Sequence, residues 1–147
     1  MNNLPVEILL VEDNPDDAEL TIRSLKKLNL ANKLIHLEDG EQALDFIFGS
    51  GKYKGQPLAQ APRVIFLDIN MPKLNGLEVL QRLRSETFSK TIPVVILTSS
   101  AEDPDIKRAY ELGANSYIVK PVDFDNFSRI VTDLGMYWLM INNFQNK

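Results

Sequence analysis

Five polar side chains in this 147-residue sequence stand directly after short apolar runs. Ile8-Leu9-Leu10-Val11 runs into Glu12 and Asp13, and Val64-Ile65-Phe66-Leu67 runs into Asp68. Val94-Val95-Ile96-Leu97 ends at Thr98, and Tyr117-Ile118-Val119 ends at Lys120. If the runs are neighbouring strands, three carboxylates, a hydroxyl and an ammonium converge. Three carboxylates repel one another and call for a cation. Hard oxygen ligands select Mg²⁺ or a similar ion. Thr98 and Lys120 then offer a donor and a positive charge to an incoming phosphoryl group. A carboxylate between them is the group best placed to attack phosphorus. Each residue alone has a plainer explanation: Asp68 as a turn-capping acid, Thr98 as a strand-end hydroxyl, Lys120 as a stem lying along apolar surface. Together, at the ends of the apolar runs, they are poorly explained by chance.

Such a constellation needs buried strands. Short, continuous, β-branched-rich runs with turn residues just beyond them predict strands covered on both faces. Met71-Pro72 supplies that turn after Asp68. Helices alternate with the strands. Asn14-Pro15 predicts a capped start, with Asp17 at capping-box distance and Asp16 and Asp17 complementing the helix dipole. Ala18, Ile22, Leu25 and Leu28 then share one face. Leu34 to Leu37 is a weaker strand ended by Asp39-Gly40, and its His36 is read as a packed or edge histidine. Glu41 to Phe48 is a helix closed by Gly49. Residues 49 to 63, with three glycines, Pro57 and Pro62, predict a long surface loop. Leu74-Asn75-Gly76 opens a helix carrying Leu77, Leu80 and Leu83. Asp103-Pro104 opens another, with Ile106, Ala109, Tyr110 and Leu112, and Gly113 follows it as a C′ residue. The last helix starts near Asp123 and aligns Phe124, Phe127, Val131, Leu134, Trp138 and Ile141. Alternating strands and helices predict an α/β fold with a parallel sheet and right-handed crossovers.

Composition narrows the function. Sixteen basic against twenty acidic side chains give a net charge of -4, which argues against nucleic acid as the main partner. The absence of cysteine excludes thiolate chemistry and Cys-based zinc sites. One histidine, His36, cannot build a His-rich metal site. No apolar run reaches membrane-spanning length, and the expected compartment is the cytoplasm.

The ordered set Leu10-Val11-Glu12-Asp13, Leu67-Asp68-Ile69-Asn70-Met71-Pro72 with Gly76, Leu97-Thr98-Ser99, and Gly113-Ala114 through Tyr117 to Lys120-Pro121 resembles the receiver domain of two-component response regulators, the CheY-like family. The likeness runs from about Val6 into the last helix. It implies a flavodoxin-like (βα)5 three-layer sandwich with a five-stranded parallel sheet, here one domain over residues 1–147 with no output domain. It implies Asp68 as phosphoacceptor. It also implies Mg²⁺ held directly by Asp13, Asp68 and the Asn70 backbone carbonyl, with Glu12 acting through water. Thr98 and Lys120 would pair with phosphoryl oxygens, Thr98 and Tyr117 would form the switch, and the Lys120-Pro121 bond would be cis. Asn70 and Ser100 would flank the phosphoryl group. Glu12 stands where many members carry Asp.

The resemblance further implies a phosphohistidine donor on a sensor histidine kinase, and a downstream protein target or phosphotransfer protein. The loop before Arg63, the run Met71-Pro72-Lys73 through Val79-Leu80, and Tyr137-Trp138 are similar to single-domain regulators paired with bacterial phytochrome kinases. Members of that group often dimerise, and Tyr137, Trp138, Met140 and Phe144 leave apolar surface for a homodimer. Two other classes fit the sequence less well. A Mg²⁺-dependent phosphohydrolase working through an aspartyl-phosphate needs a second acid two residues after the nucleophile, where this chain has Asn70. A flavodoxin-like nucleotide or flavin module needs a phosphate-cradling Gly-rich loop, where this chain has Glu12-Asp13.

Overall fold

The computed structural model describes the chain except for residues 1–5, 28–33, 57, 59–60, 99–102, 121–123 and 146–147, and except for the side chains of residues 103, 124, 127, 135 and 138–145. The elements run β1 (Ile8–Val11), α1 (Pro15–Lys26), β2 (Leu34–Leu37), α2 (Gly40–Phe48), β3 (Val64–Asp68), α3 (Gly76–Ser85), β4 (Val94–Thr98), α4 (Asp103–Glu111), β5 (Ser116–Val119) and α5 (Phe124–Gln145). A 3-10 turn, Gly51–Tyr53, partly orders the loop after α2. Its Tyr53 ring meets the Phe46 ring edge-on, with centroids 5.2 Å apart.

The five strands form one parallel sheet in the order β2-β1-β3-β4-β5. Parallel strands need long crossovers, and the helices supply them while covering both faces. This is the flavodoxin-like (βα)5 sandwich. Alternate strand residues feed two separate cores. Leu9, Val11, Ile65, Leu67, Val94 and Ile96 meet Ala43 and Ile47 of α2, Val79, Leu80 and Leu83 of α3, and Ala109 of α4. Ile8, Leu10, Val64, Phe66, Val95, Leu97 and Ile118 meet Ala18 and Leu25 of α1 and Val131 of α5. Hence β1, β3 and β4 are buried along their whole length. The weaker run, β2, lies at an edge and is only half-buried along most of its length.

Two helical faces differ from the periodicity. Helix α1 buries Thr21 and Ser24 beside Ala18 and Leu25, and Ile22 is half-buried. The two hydroxyls donate to the carbonyls of Asp17 and Leu20, four residues back, at 3.0 and 2.9 Å, so small polar groups enter the α1–α5 seam without an unmet hydrogen bond. Leu28 lies outside the described residues. In α4, Ala109 is buried while Tyr110 is half exposed. Of the α5 stripe, Val131 is buried and Leu134 packs beside it. The side chains of Phe124, Phe127, Trp138, Met140, Ile141 and Phe144 lie outside the described residues. Tyr137 and Met136 stand exposed on α5.

All strands run toward one sheet edge, where caps hold the loops after β1 and β3. Asn14 caps α1, its Oδ1 accepting the N–H groups of Asp16 and Asp17 at 2.9 and 3.0 Å. Asn75 and Glu78 form a reciprocal capping box at the start of α3. Gly76 packs directly beneath the β3–α3 loop. A Cβ there would lie 2.2 Å from the Asp68 carbonyl oxygen and 2.8 Å from Ile69 Cα, and both are backbone atoms that cannot swing aside. Gly76→Ala is therefore expected to cost about 1–3 kcal/mol and to lower the thermal midpoint by several degrees. A midpoint equal to wild type would show that the loop has room to yield.

Candidate functional site

The register decides which polar residues meet. Val11 pairs with Leu67, so Glu12 and Asp68 follow on adjacent strands. Thr98 pairs with Val119, and the Lys120 N–H donates to the Thr98 carbonyl at 2.6 Å. The sheet edge thus carries Glu12, Asp13, Asp68, Thr98 and Lys120 side by side.

Glu12 is fully buried and Asp68 nearly so, while Asp13 is exposed. These three carboxylates each offer an oxygen within 4.8 Å of the others'. The Glu12 carboxylate accepts the Asn14 N–H at 3.3 Å. Its carbonyl lies 2.8 Å from His36 Nε2, so His36 serves as an edge-strand contact to the site's backbone. Asn70 bridges two strands. Its N–H donates to Asp68 Oδ1 at 3.4 Å, and its side-chain amide donates to Thr98 Oγ1 at 3.3 Å. Thr98 is fully buried.

The Lys120 ammonium lies 2.7 Å from Glu12 Oε1, 2.9 Å from Asp17 Oδ2 and 3.6 Å from Asp68 Oδ2. Sequence reasoning gave Asp17 only a dipole or capping role. Its N–H is indeed capped by Asn14, but its carboxylate turns to Lys120. The one available signal was the Asn14-Pro15 start, which sets the first turn of α1 beside the end of β1.

The charges explain the protonation states. Burial pushes the Glu12 carboxyl up, the neighbouring Asp68 adds to that, and Lys120 opposes it, leaving Glu12 raised from 4.5 to about 8. Burial would lower Lys120, but its hydrogen bonds to Glu12 and Asp17 outweigh burial and hold the ammonium above its ordinary range. Both directions describe one imbalance, in which several acids share a single ammonium. Such a set of hard oxygen donors suits a divalent cation, which would let the buried carboxyl ionise.

Tyr117 sits in β5 opposite Ile96, two positions short of the Thr98–Val119 pair. Its ring is half-buried against the core that α2, α3 and α4 cover. Burial, and then Asp105 and Tyr110, push its hydroxyl pKa up. Ser99, Ser100 and Pro121 lie outside the described residues, so the expected cis bond at Pro121 and the expected flanking role of Ser100 are not among the observed features. Among the described residues, no helix is long and apolar enough to cross a membrane.

Comparison with known proteins agrees with this geometry. The family model for the response regulator receiver domain matches residues 8–132. Response regulator Rcp1 of Synechocystis sp. is 37% identical over 138 residues, covering 94% of this chain and 92% of Rcp1. The Mn²⁺-bound form of Rcp1 superposes with a TM-score of 0.82, covering 92% of this chain and 95% of that one. The phosphorylated cyanobacterial phytochrome response regulator RcpA superposes with a TM-score of 0.83 at 34% identity, again covering 92% and 95%. The bacteriophytochrome response regulator RtBRR is 48% identical, with a TM-score of 0.75 over 90% of this chain and 79% of that one.

A pH dependence follows from Glu12. Unfolding returns its carboxyl to the ordinary value. Between about 4.5 and about 8 the unfolded chain has lost that proton and the folded chain keeps it, so stability falls as pH rises through the window. In chelator, the thermal midpoint is expected to drop by several degrees across that range, and Glu12→Gln is expected to flatten most of the drop. An equal drop in both proteins would place its origin elsewhere.

Proposed function

The chain belongs to the response regulator receiver domain family, and on that premise we propose that Asp68 accepts a phosphoryl group from a phosphohistidine on a sensor histidine kinase. One observation carries the reading: Asp68 is a buried carboxylate with Glu12 and Asp13 beside it and the Lys120 ammonium 3.6 Å away.

The cation is Mg²⁺ in this reading. Asp13, Asp68 and the Asn70 backbone carbonyl would hold it directly, and Glu12 would act through water. When bound, the ion supplies neutralising charge to the transferring group. The chain's own residues do the rest. Asp68 attacks phosphorus in line as the bond to the histidine nitrogen breaks. Lys120 pairs with one phosphoryl oxygen and Thr98 donates its hydroxyl to another. The chemistry is confined to Asp68, so in this reading the protein changes its own phosphorylation state and turns over no small-molecule substrate.

The acyl phosphate adds nearly two negative charges beside Thr98. Thr98 then moves toward them and leaves the Asn70 amide, and Tyr117, on the neighbouring strand, turns into the space released. That shift would remodel the face formed by α4, β5 and α5 and change what binds there. The output is accordingly a contact with a downstream protein or phosphotransfer partner, with the exposed Met136 and Tyr137 of α5 open to a second copy of the chain. The likeness to Rcp1, RcpA and RtBRR supports a bacterial phytochrome as the kinase, and a cytoplasmic site of action goes with such a kinase.

Acetyl phosphate with Mg²⁺, followed by intact-mass measurement, tests the assignment. Wild type is expected to gain one phosphoryl group and Asp68→Asn none. Lys120→Ala is expected to slow the gain by about 10²-fold. A phosphoryl gain that persists in Asp68→Asn would move the acceptor to another residue.

A further inference from the structure

We propose that Asp17 is a positioning residue for Lys120, holding the ammonium in the unphosphorylated protein and competing for it with the phosphoryl group on Asp68. The inference rests on the phosphoacceptor reading above and extends it to a residue of the first helix.

Among the described residues three acids contact Lys120, and they are not equivalent. Glu12 and Asp68 belong to the carboxylate trio that suits a divalent cation. Asp17 is the Lys120 partner outside that trio, and it comes from α1 rather than from a strand end. Its contact with Lys120 Nζ, 2.9 Å, is nearly as short as the 2.7 Å contact of Glu12 and shorter than the 3.6 Å between Lys120 and Asp68. A cation held directly by Asp13 and Asp68 would leave Asp17, with Glu12, facing the ammonium, and Asp17 is the one of the two that takes no part in holding the cation.

Helix capping does not occupy the Asp17 carboxylate. The Asp17 N–H is satisfied by Asn14 Oδ1, and the Asp17 carbonyl accepts from Thr21. These two bonds fix the backbone and leave the side chain to reach across to Lys120. Asp16 makes a useful contrast. It lies in the same first turn and its N–H bonds the same Asn14 oxygen, yet Asp16 itself is exposed and only Asp17 meets Lys120.

A phosphoryl group on Asp68 presents nearly two negative charges and must draw the ammonium away from Asp17. Asp17 thus makes the phosphorylated state less favourable than it would otherwise be. The Asp17 side chain is about a third exposed, so solvent and salt screen the pair and its effect is modest.

Isothermal titration of the Mg²⁺-loaded protein with beryllofluoride, a phosphoryl mimic, tests this. Asp17→Asn is expected to lower the half-saturating beryllofluoride concentration about threefold. Asp16→Asn removes the same charge from the same turn and is expected to leave it at the wild-type value, while Asp17→Glu is expected to stay close to wild type. Added salt is expected to narrow the gap between wild type and Asp17→Asn. A half-saturation in Asp17→Asn equal to wild type overturns the proposal, as does an equal shift in Asp16→Asn, which would make the effect one of general field. Those results leave the phosphoacceptor reading standing. A wild type that takes up no more beryllofluoride than Asp68→Asn would instead bring down that reading, and this inference with it.

Discussion

Too many acids around one ammonium is the condition on which this molecule turns. Glu12, Asp17 and Asp68 all approach Lys120, and Asp13 adds a fourth carboxylate at the rim. Water screens Asp13, but Glu12 and Asp68 are buried, where like charges repel more strongly and are less screened. Burial, with Asp68 beside it, holds the Glu12 carboxyl above its ordinary range, and Lys120 only partly offsets this. A site held in this imbalance favours an added divalent cation and stays ready for a ligand that carries its own charge.

The fold keeps that imbalance from relaxing. With apolar side chains on both faces of β1, β3 and β4, a one-residue slip would turn whole rows of side chains to the wrong core. Glu12 and Asp68 therefore cannot separate along the sheet. The Asn14 cap and the Asn75–Glu78 box fix the loops on either side, and the Gly76 backbone lies so close beneath Asp68 that the loop has nowhere to settle. Farther from the site, Arg84 ties α3 to the turn before β5, donating to the Gly113 carbonyl at 2.8 Å and to Asn115 Oδ1 at 3.0 Å.

Much of this was legible in the residues. The apolar runs ended where the strands end, because strands covered on both faces leave no alternation to misread. Asp68, Thr98 and Lys120 could be placed at one edge because parallel strands all point the same way. The Asn14 cap was local and readable, whereas Asp39 and Asn75, read only as a strand end and a helix opening, also prove to be N-caps. What escaped was long-range or rotational. The Asp17–Lys120 contact joins residues 103 positions apart, and local spacing could only place Asp17 in a first turn. The α1 face was misjudged because Thr21 and Ser24 satisfy their hydroxyls on the helix itself and so enter a core that hydropathy alone would close to them. Tyr110 was aligned with its apolar neighbours, yet its ring stands half outside. Nothing in the 3.6-residue period distinguishes a tyrosine facing the core from one at its margin.

The central claim is that surplus carboxylates at the ends of β1 and β3 make a divalent cation site coupled to Glu12 ionisation. Calorimetric titration with Mg²⁺ near neutral pH, repeated in buffers of different ionisation enthalpy, measures both parts at once. The account predicts one saturable site per chain, proton release on binding, and strong weakening in Asp13→Asn. Absent saturable binding, or a site that Asp13→Asn leaves untouched, would contradict it.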